Sequence, residues 1–201
     1  MDFEAFTGRL RTRLASCPPR PAVPDGALRH AAVVALFRGE ATACGGPEIL
    51  LIRRAEAEGD PWSGHVAFPG GRVDPEDPDP LAAAQRELLE EVGIDLRDQG
   101  RLLGELPRQL TLPLAGRRMV VHPFVFALDG NPPAIGNGEV ARILWVPFRE
   151  LLEGVGQGQT RWTWQGQELT LPCRRLHGEL LWGMTLRMVE DLLRAWGDAP
   201  A

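Results

Sequence analysis

The sequence predicts one α/β domain at residues 30–197, preceded by an N-terminal helical extension with a proline-rich connector at residues 1–29. Apolar runs of strand length alternate along the chain with amphipathic stretches at helical spacing, which is typical of this class. The 201 residues, 44% hydrophobic and 24% charged, suit a single globular domain with a modest extension. The chain contains neither internal repeats nor a low-complexity linker, so a second domain is not indicated.

The extension is predicted to be a helix followed by a turn-rich segment. Its apolar positions share one helix face: Phe3, Phe6, Leu10 and Leu14. Prolines then dominate residues 17–24, where a helix cannot continue.

The strands are predicted from apolar runs. Residues 30–37 form a continuous apolar run typical of a buried strand, and residues 48–53 are its partner across a glycine-rich loop. Residues 59–69 are predicted to be irregular. Further strands are expected at residues 102–106, 119–128 and 140–146, and a hairpin at residues 161–164 and 168–171.

Three helices are expected in the domain. The clearest spans residues 80–92, with Asp79 as its N-cap, Pro80 at its first position and Gly93 just past its end. A short helix is expected at residues 148–152, and a final amphipathic helix at residues 181–196.

Composition excludes several classes of function. The net charge of −5 argues against a surface that coats nucleic acid, which requires a basic stripe. No apolar run reaches the length of a membrane helix, and the first residues lack the pattern of a signal peptide. The three cysteines, Cys17, Cys44 and Cys173, encode neither a disulfide framework nor a zinc site. These features predict a cytoplasmic protein.

The negative charge is concentrated between Asp74 and Asp95, where eight acidic residues accompany one arginine. On the helix at residues 80–92, Glu87, Glu90 and Glu91 are spaced i, i+3 and i+4, so their carboxylates emerge together. Like charges at this spacing repel, and a hard divalent cation such as Mg²⁺ would neutralise them. The alternative is an acidic helix face exposed to solvent.

The residues around this helix resemble the Nudix box. Gly70-Gly71 is followed by Arg86-Glu87-Leu88-Leu89-Glu90-Glu91-Val92-Gly93-Ile94, which matches the second half of the box completely. The intervening loop is one residue longer than usual, and Pro78 replaces the usual glutamate. Asp77 is the nearest acid that could take over the supporting role of that glutamate.

The resemblance implies an α/β/α sandwich with a mixed central sheet and a hydrolase that uses Mg²⁺ or Mn²⁺. Glu87 and Glu91 would be the principal metal ligands, and Glu90 a further ligand or outer contact. The carbonyl of Gly70 or Gly71 would complete the site, and Arg86 would orient the glutamates. A glycine-rich loop permits such close approach of the backbone to metal and phosphate.

The segment before the box is similar to the upstream element of coenzyme A diphosphatases. It reads Leu50-Leu51-Ile52-Arg53-Arg54-Ala55, then Gly64-His65-Val66-Ala67-Phe68-Pro69-Gly70-Gly71. Leu181-Trp182-Gly183-Met184-Thr185 also resembles their Trp-Gly-x-Thr element. Three departures stand out: Ile52 replaces a threonine, Ala55 a serine, and Gly59-Asp60 a Leu-Arg pair.

Three residues outside the box are candidate site residues. Glu139 precedes a predicted strand where many Nudix proteins carry an acid, so it would be a further metal ligand, the general base, or an exposed turn residue. Arg53 and Arg54 end a strand near the box, and one of them would bind a substrate phosphate.

The similarity to coenzyme A diphosphatases implies an enzyme that cleaves coenzyme A or a derivative to 3′,5′-ADP and 4′-phosphopantetheine. The alternatives are a Nudix diphosphatase acting on ADP-ribose, NADH or another nucleoside diphosphate derivative, a Nudix binding module without catalysis, and a structural α/β protein with an acidic helix. The expected partner is a small nucleoside diphosphate substrate, with no nucleic acid and no membrane, and the protein is expected to be a monomer or homodimer.

Overall fold

The computed structural model describes residues 2–16, 28–39, 46–59, 62–111, 118–164 and 166–197. Within these ranges the helices are α1 (Phe3–Ala15), α2 (Pro80–Val92), α3 (Leu96–Gln99), α4 (Phe148–Leu152) and α5 (Gly183–Trp196). The strands are β1 (Arg29–Arg38), β2 (Glu48–Arg54), β3 (Val66–Ala67), β4 (Gly70–Arg72), β5 (Gly100–Glu105), β6 (Gln109–Leu110), β7 (Met119–Leu128), β8 (Val140–Pro147), β9 (Gln157–Trp164), β10 (Gln167–Leu176) and β11 (Glu179–Trp182).

A mixed sheet forms the centre of the fold. β1 pairs in parallel with β7 and antiparallel with β2 and β4, while β8 pairs antiparallel with β2. The register of β1 and β2 covers only residues 37–38 and 48–49. Outside these residues β1 and β2 no longer pair with each other: β2 pairs with β3, and β1 pairs with β4. The β3–β4 segment therefore lies between two diverging strands, which places Gly70 and Gly71 beside α2.

The two faces of the sheet carry separate hydrophobic cores, because successive strand residues point to opposite faces. α2 packs on one face, against a core that includes Leu50 and Phe126. α1, α4 and α5 pack on the other face, against a core that includes Phe37 and Leu51. This three-layer arrangement confirms the predicted α/β/α sandwich with a mixed central sheet.

Helix α1 belongs to the second of these cores. Phe6 and Leu10 are fully buried, and the ring centroid of Phe6 lies 5.0 Å from that of Phe37 and 4.9 Å from that of Trp196. The Arg9 guanidinium lies 4.0 Å from the centroid of Trp196 and donates to its carbonyl at 3.0 Å. The predicted N-terminal helix is thus present and packs into the fold. The connector at residues 17–24 lies outside the described residues, and the domain division at residue 30 stays a prediction.

Most of the predicted elements are present, with bounds shifted by a few residues. The helices at residues 80–92 and 148–152 and the strand at residues 119–128 are confirmed with the same bounds. The stretch at residues 59–69, predicted to be irregular, contains β3, and β4 follows it. Strands of two or three residues are too short to show a periodic pattern of apolar residues. They form here because the diverging strands beside them supply the pairing partners.

The predicted start of the last helix is wrong by two residues. Leu181 and Trp182 belong to β11, where they pair with Arg174 and Cys173 of β10. The apolar spacing of the helix continues back through these residues, but β10 offers their backbone groups partners in a second, three-stranded sheet of order β11-β10-β9. Gly183 then takes a positive φ of 66°, which turns the chain into α5.

No helix in the described part of the chain is long and apolar enough to cross a bilayer.

Candidate active site

Helix α2 has the local signals that fix its ends. The Asp79 carboxylate accepts from the Ala82 amide at 2.8 Å, and Pro80 follows it without an N–H to satisfy. At the other end Gly93 takes the left-handed conformation, with φ of 73°, and donates to the Leu89 carbonyl. Leu88 is fully buried against the sheet. The rotation of the helix about its axis is therefore set by its apolar stripe.

That rotation gives the three glutamates of α2 different environments. The Glu91 residue is 2% exposed, the Glu87 side chain 18% and the Glu90 side chain 54%. The exposed fraction thus increases from Glu91 through Glu87 to Glu90, so the three carboxylates are not equally exposed to solvent. The alternative of a fully solvated acidic face does not describe Glu91.

Glu91 is held by the glycine segment that precedes α2. Its Oε2 accepts from the Gly70 amide at 2.7 Å. Burial, together with the charges of Glu87 and Glu139, raises the pKa of Glu91 to about 7, although the Gly70 amide and the charge of Arg54 oppose the rise. A carboxylate this costly to ionise would be stabilised by a cation.

The two glycines of this segment are required by close approach. Gly70 has a φ of 145°, and a Cβ there would lie 2.2 Å from the Ala32 carbonyl oxygen. A Cβ on Gly71 would lie 2.4 Å from the Glu87 carboxyl group. The absence of side chains thus lets the Gly70 backbone lie against β1 and lets the Glu87 carboxyl group lie against Gly71.

Arg86 connects the acidic residues of the loop and the helix. Its Nη2 donates to Asp77 at 2.9 Å, and its Nη1 donates to Glu87 at 3.0 Å and to Glu90 at 3.2 Å. The hydrogen bond from Arg86 holds the pKa of Asp77 below its ordinary value. Asp77 therefore supports Arg86 from the loop, in a sequence where Pro78 stands at the usual position of a glutamate.

Glu139 reaches the same site from a distant part of the chain. Its backbone is fixed, because its amide donates to Asn137 Oδ1 at 2.8 Å and its carbonyl accepts from Ala55 at 2.7 Å. The Glu139 carboxylate is exposed, and its charge raises the pKa of both Glu87 and Glu91. The structure therefore brings this predicted site residue into electrostatic range of the helix glutamates.

The structure separates the two arginines that the sequence left as alternatives. Along β2, Leu50 and Ile52 face α2 and Leu51 faces the opposite core, so Arg54 continues the α2 side. Consistently, the charge of Arg54 lowers the pKa of Glu91. Arg53 points the other way, where its Nη2 donates to Glu56 at 3.2 Å.

The donor set fits a hard divalent cation such as Mg²⁺ or Mn²⁺. Among the described residues, no three His, Cys, Asp or Glu side chains are gathered into a ready-made ligand cluster. Glu87 is engaged by Arg86 and Glu91 by Gly70. The mutual repulsion of Glu87, Glu91 and Glu139 nevertheless marks a place where bound positive charge would be favourable, and carboxylates are the ligands these cations prefer. Metal binding by these residues and by the Gly71 carbonyl stays a prediction.

Comparisons with known proteins show the family of this chain. A family model described as the NUDIX domain matches residues 28–164. The Nudix hydrolase NudL of Photorhabdus laumondii is 31% identical over 198 residues, which are 96% of each chain. The chain therefore belongs to the Nudix hydrolase family, as the resemblance predicted.

Other relatives are matched over a smaller part of their length, and the solved structures show a similarity of fold alone. The mitochondrial coenzyme A diphosphatase NUDT8 of Homo sapiens is 31% identical over 152 residues, 75% of this chain and 63% of that protein. The chain spans 33% to 63% of the length of three curated relatives, NUDT8 among them. An Ap4A hydrolase of Caenorhabditis elegans is structurally similar, with a TM-score of 0.51 and 22% identity over 63% of this chain and 85% of that one. A cytoplasmic location of this chain stays a prediction.

Proposed function

We propose that the chain hydrolyses the pyrophosphate bond of a nucleoside diphosphate derivative, with Mg²⁺ or Mn²⁺ bound at the glutamates of α2. One observation carries the proposal: the Glu91 carboxyl group is buried at the Gly70 amide, and burial together with the charges of Glu87 and Glu139 raises its pKa. This arrangement costs stability in the absence of a cation. These carboxylates would hold a metal ion, which would neutralise their charge and that of the diphosphate.

Each site residue has a role that follows from its contacts. Glu87 and Glu91 are the principal metal ligands, and Glu90, which is more exposed, is a further ligand or an outer contact. Bound metal supplies neutralisation of the diphosphate and a lower pKa for the attacking water. Arg86 positions Glu87 and Glu90, and Asp77 anchors Arg86.

Two residues from other segments complete the proposed site. Glu139 is a further metal ligand or the general base, because its exposed carboxylate lies near Glu87 and Glu91 without an Arg86 contact among the described bonds. Arg54 binds a diphosphate oxygen, since it is on the α2 side of the sheet and its charge reaches Glu91.

The favoured substrate is coenzyme A or a derivative, which would give 3′,5′-ADP and 4′-phosphopantetheine. The segment from Leu50 to Gly71 supports this choice, as does the similarity to a protein named as a coenzyme A diphosphatase. ADP-ribose, NADH and other nucleoside diphosphate derivatives are the alternatives, because Ile52 and Ala55 depart from the upstream element. A binding module without catalysis is disfavoured, since Arg86, Glu87, Glu90 and Glu91 are all present.

A substrate screen tests the proposal. The purified chain is assayed with Mg²⁺ or Mn²⁺ against coenzyme A, dephospho-coenzyme A, ADP-ribose, NADH, dinucleoside polyphosphates and nucleoside triphosphates, and products are identified by mass. The expected result is cleavage of coenzyme A to the two products named above, lost in excess EDTA and in Glu87→Gln. Equal turnover of coenzyme A, dephospho-coenzyme A and ADP-ribose would replace the coenzyme A assignment with the broader one. Full turnover in EDTA would contradict metal-dependent hydrolysis.

A further inference from the structure

A cleft of about 370 Å³ lies on the side of β2 opposite to Glu91. Its walls come from the end of β2, the segment before β3, strand β9 and the β10–β11 hairpin. Its volume is within the range of roughly 300–1,000 Å³ that is usual for small-molecule sites. Arg53 lines this cleft, whereas Arg54, the next residue, is on the α2 side of the sheet.

One wall of the cleft is aromatic. The ring centroids of His65 and Trp182 are 4.9 Å apart, and Trp162 packs on Trp182 with centroids 5.2 Å apart. Trp182 is also part of β11, so its position is fixed by strand pairing with Cys173. A fixed aromatic surface favours a planar ligand, because every nucleobase has a face that can stack on such a ring.

The other wall carries two guanidinium groups. The Arg161 side chain is 79% exposed and its nearest acid, Glu168, is 3.7 Å away, which is a weak surface pair. Arg53 pairs with Glu56 at 3.2 Å and lies 3.7 Å from Glu179, whose carboxylate also accepts from Arg142 at 3.1 Å. Arg53 and Glu179 are therefore both paired, and Arg161 is the guanidinium of the cleft that is held most weakly. A guanidinium group at a cleft favours a phosphate, which arginine binds with charge-assisted hydrogen bonds.

We propose that the cleft is a second substrate subsite, which binds the base and the additional phosphate of a nucleotide such as the 3′-phosphorylated adenosine of coenzyme A. The inference rests on the proposed function, since it treats this nucleotide as part of the molecule whose pyrophosphate lies at Glu87 and Glu91. The two places are close along the chain: His65 of the cleft precedes Gly70 by five residues, at most about 17 Å of extended backbone. An extended substrate can pass around the end of β2 from one face to the other.

A binding experiment tests the subsite apart from catalysis. Adenosine 3′,5′-bisphosphate is titrated into the full chain by calorimetry in EDTA, so that no metal at the glutamates contributes. Thr160 lines the cleft and Thr163 lies on the same strand outside its lining. Thr160→Trp, which fills the cleft, is expected to weaken binding at least about tenfold, as losing one good contact does. Thr163→Trp is the matched control and should bind like the unchanged chain.

A charge reversal provides the second variant. Arg161→Glu should also weaken binding about tenfold or more. Arg149→Glu is its control, because Arg149 is 84% exposed and pairs with Glu153 outside the cleft. Equal affinity in Thr160→Trp and Thr163→Trp, together with equal affinity in the two arginine variants, would overturn the subsite. Failure of the unchanged chain to bind the nucleotide would overturn it as well.

A kinetic experiment separates this inference from the proposed function. In Arg161→Glu the KM for coenzyme A should rise about tenfold while kcat stays the same, because the cleft is away from the carboxylates. The KM for 4′-phosphopantetheinyl substrates without the 3′-phosphate, such as dephospho-coenzyme A, should rise less. An unchanged KM for coenzyme A would overturn the subsite. If the unchanged chain cleaves no substrate of the screen, the proposed function fails, while the calorimetric comparison still decides whether the cleft binds a nucleotide.

Discussion

At the scale of single residues, Glu91 is an acidic residue that is buried among other acidic residues. It sits at the base of the site, 2% exposed, with its pKa raised from 4.5 to about 7. Glu87, one helical turn away, has its pKa raised by burial as well, and Glu90 and Glu139 add to that rise. The site thus holds several carboxylates whose ionisation opposes folding in the absence of metal.

The first prediction concerns Glu91→Gln and Glu87→Gln. Each should lower kcat by orders of magnitude, because each of the two residues is a proposed metal ligand. Since native Glu91 keeps its proton to a higher pH than the unfolded chain, the unfolding free energy of the metal-free protein should fall as the pH rises from about 5 through 7. The pKa difference limits this fall to about 3 kcal/mol.

Urea unfolding in EDTA at pH 5 and pH 8 measures this effect. Glu91→Gln should lack most of the pH-dependent loss, because its amide oxygen still accepts from Gly70 and carries no charge. Glu90→Gln, at an exposed position, is the control and should keep the loss. If the unfolding free energy of Glu91→Gln fell with pH as much as that of the unchanged chain, burial of Glu91 would not be the cause of the fall.

The second prediction concerns Asp77, which anchors Arg86. Asp77→Asn removes the charge from a carboxylate whose side chain is 7% exposed and pairs with Arg86 at 2.9 Å. We expect a loss of about 1.5–3 kcal/mol in unfolding free energy, which is usual when a hydrogen bond to a charged group is lost. Because Arg86 also contacts Glu87 and Glu90, kcat should fall too.

Asp74→Asn is the matched control for Asp77. The Asp74 side chain is 56% exposed and lies 3.5 Å from the same guanidinium, so its loss should change stability little. Denaturation and steady-state kinetics on both variants provide the comparison. Equal effects at the two positions would show that Arg86 needs no specific anchor in the loop.

At the scale of elements, helix α2 positions the site because its two ends and its buried stripe are each fixed. Gly93 ends the helix in the left-handed conformation, and Leu88 locks its rotation over the sheet. The loop after α2 is tied back to it, since the Asn137 amide donates to the Glu91 carbonyl at 3.0 Å. This bond brings the turn that carries Glu139 to the helix that carries the other acids.

The third prediction concerns the N-cap of α2. Asp79→Ala should cost about 1 kcal/mol of unfolding free energy, because the Ala82 amide loses its acceptor. Asp79→Asn keeps an acceptor oxygen and should retain most of the stability. Thermal or urea denaturation compares the two variants, and equal losses would show that the charge of Asp79 rather than its hydrogen bond stabilises the helix.

At the scale of the whole molecule, the N-terminal helix and the C-terminal helix share one core. Phe6 of α1 contacts Phe37, Phe148 and Trp196, which come from three separate parts of the chain. α1 therefore completes, together with α4 and α5, the cover of one face of the sheet.

The fourth prediction tests this integration. Phe6→Ala should lower the unfolding free energy by about 3–5 kcal/mol, the range for large-to-small changes at aromatic core positions. Thr12→Ala, at an exposed position of the same helix, should change it by less than about 0.5 kcal/mol. A loss in Phe6→Ala no larger than in Thr12→Ala would mean that α1 packs only loosely, as an extension separate from the domain.

The sequence by itself determined the features that depend on neighbours a few residues apart. The caps and apolar stripe of α2, the i, i+3, i+4 glutamates and the glycine pair are local patterns, and the resemblance of residues 70–94 to the Nudix box predicted the sandwich fold and the family. The tertiary structure alone decided which side of the sheet each residue occupies. It placed Asp77 against Arg86, brought Glu139 to Glu91, separated Arg53 from Arg54, and turned Leu181 and Trp182 into a strand. Each of these depends on contacts between distant segments, whose register and packing no short-range periodicity encodes.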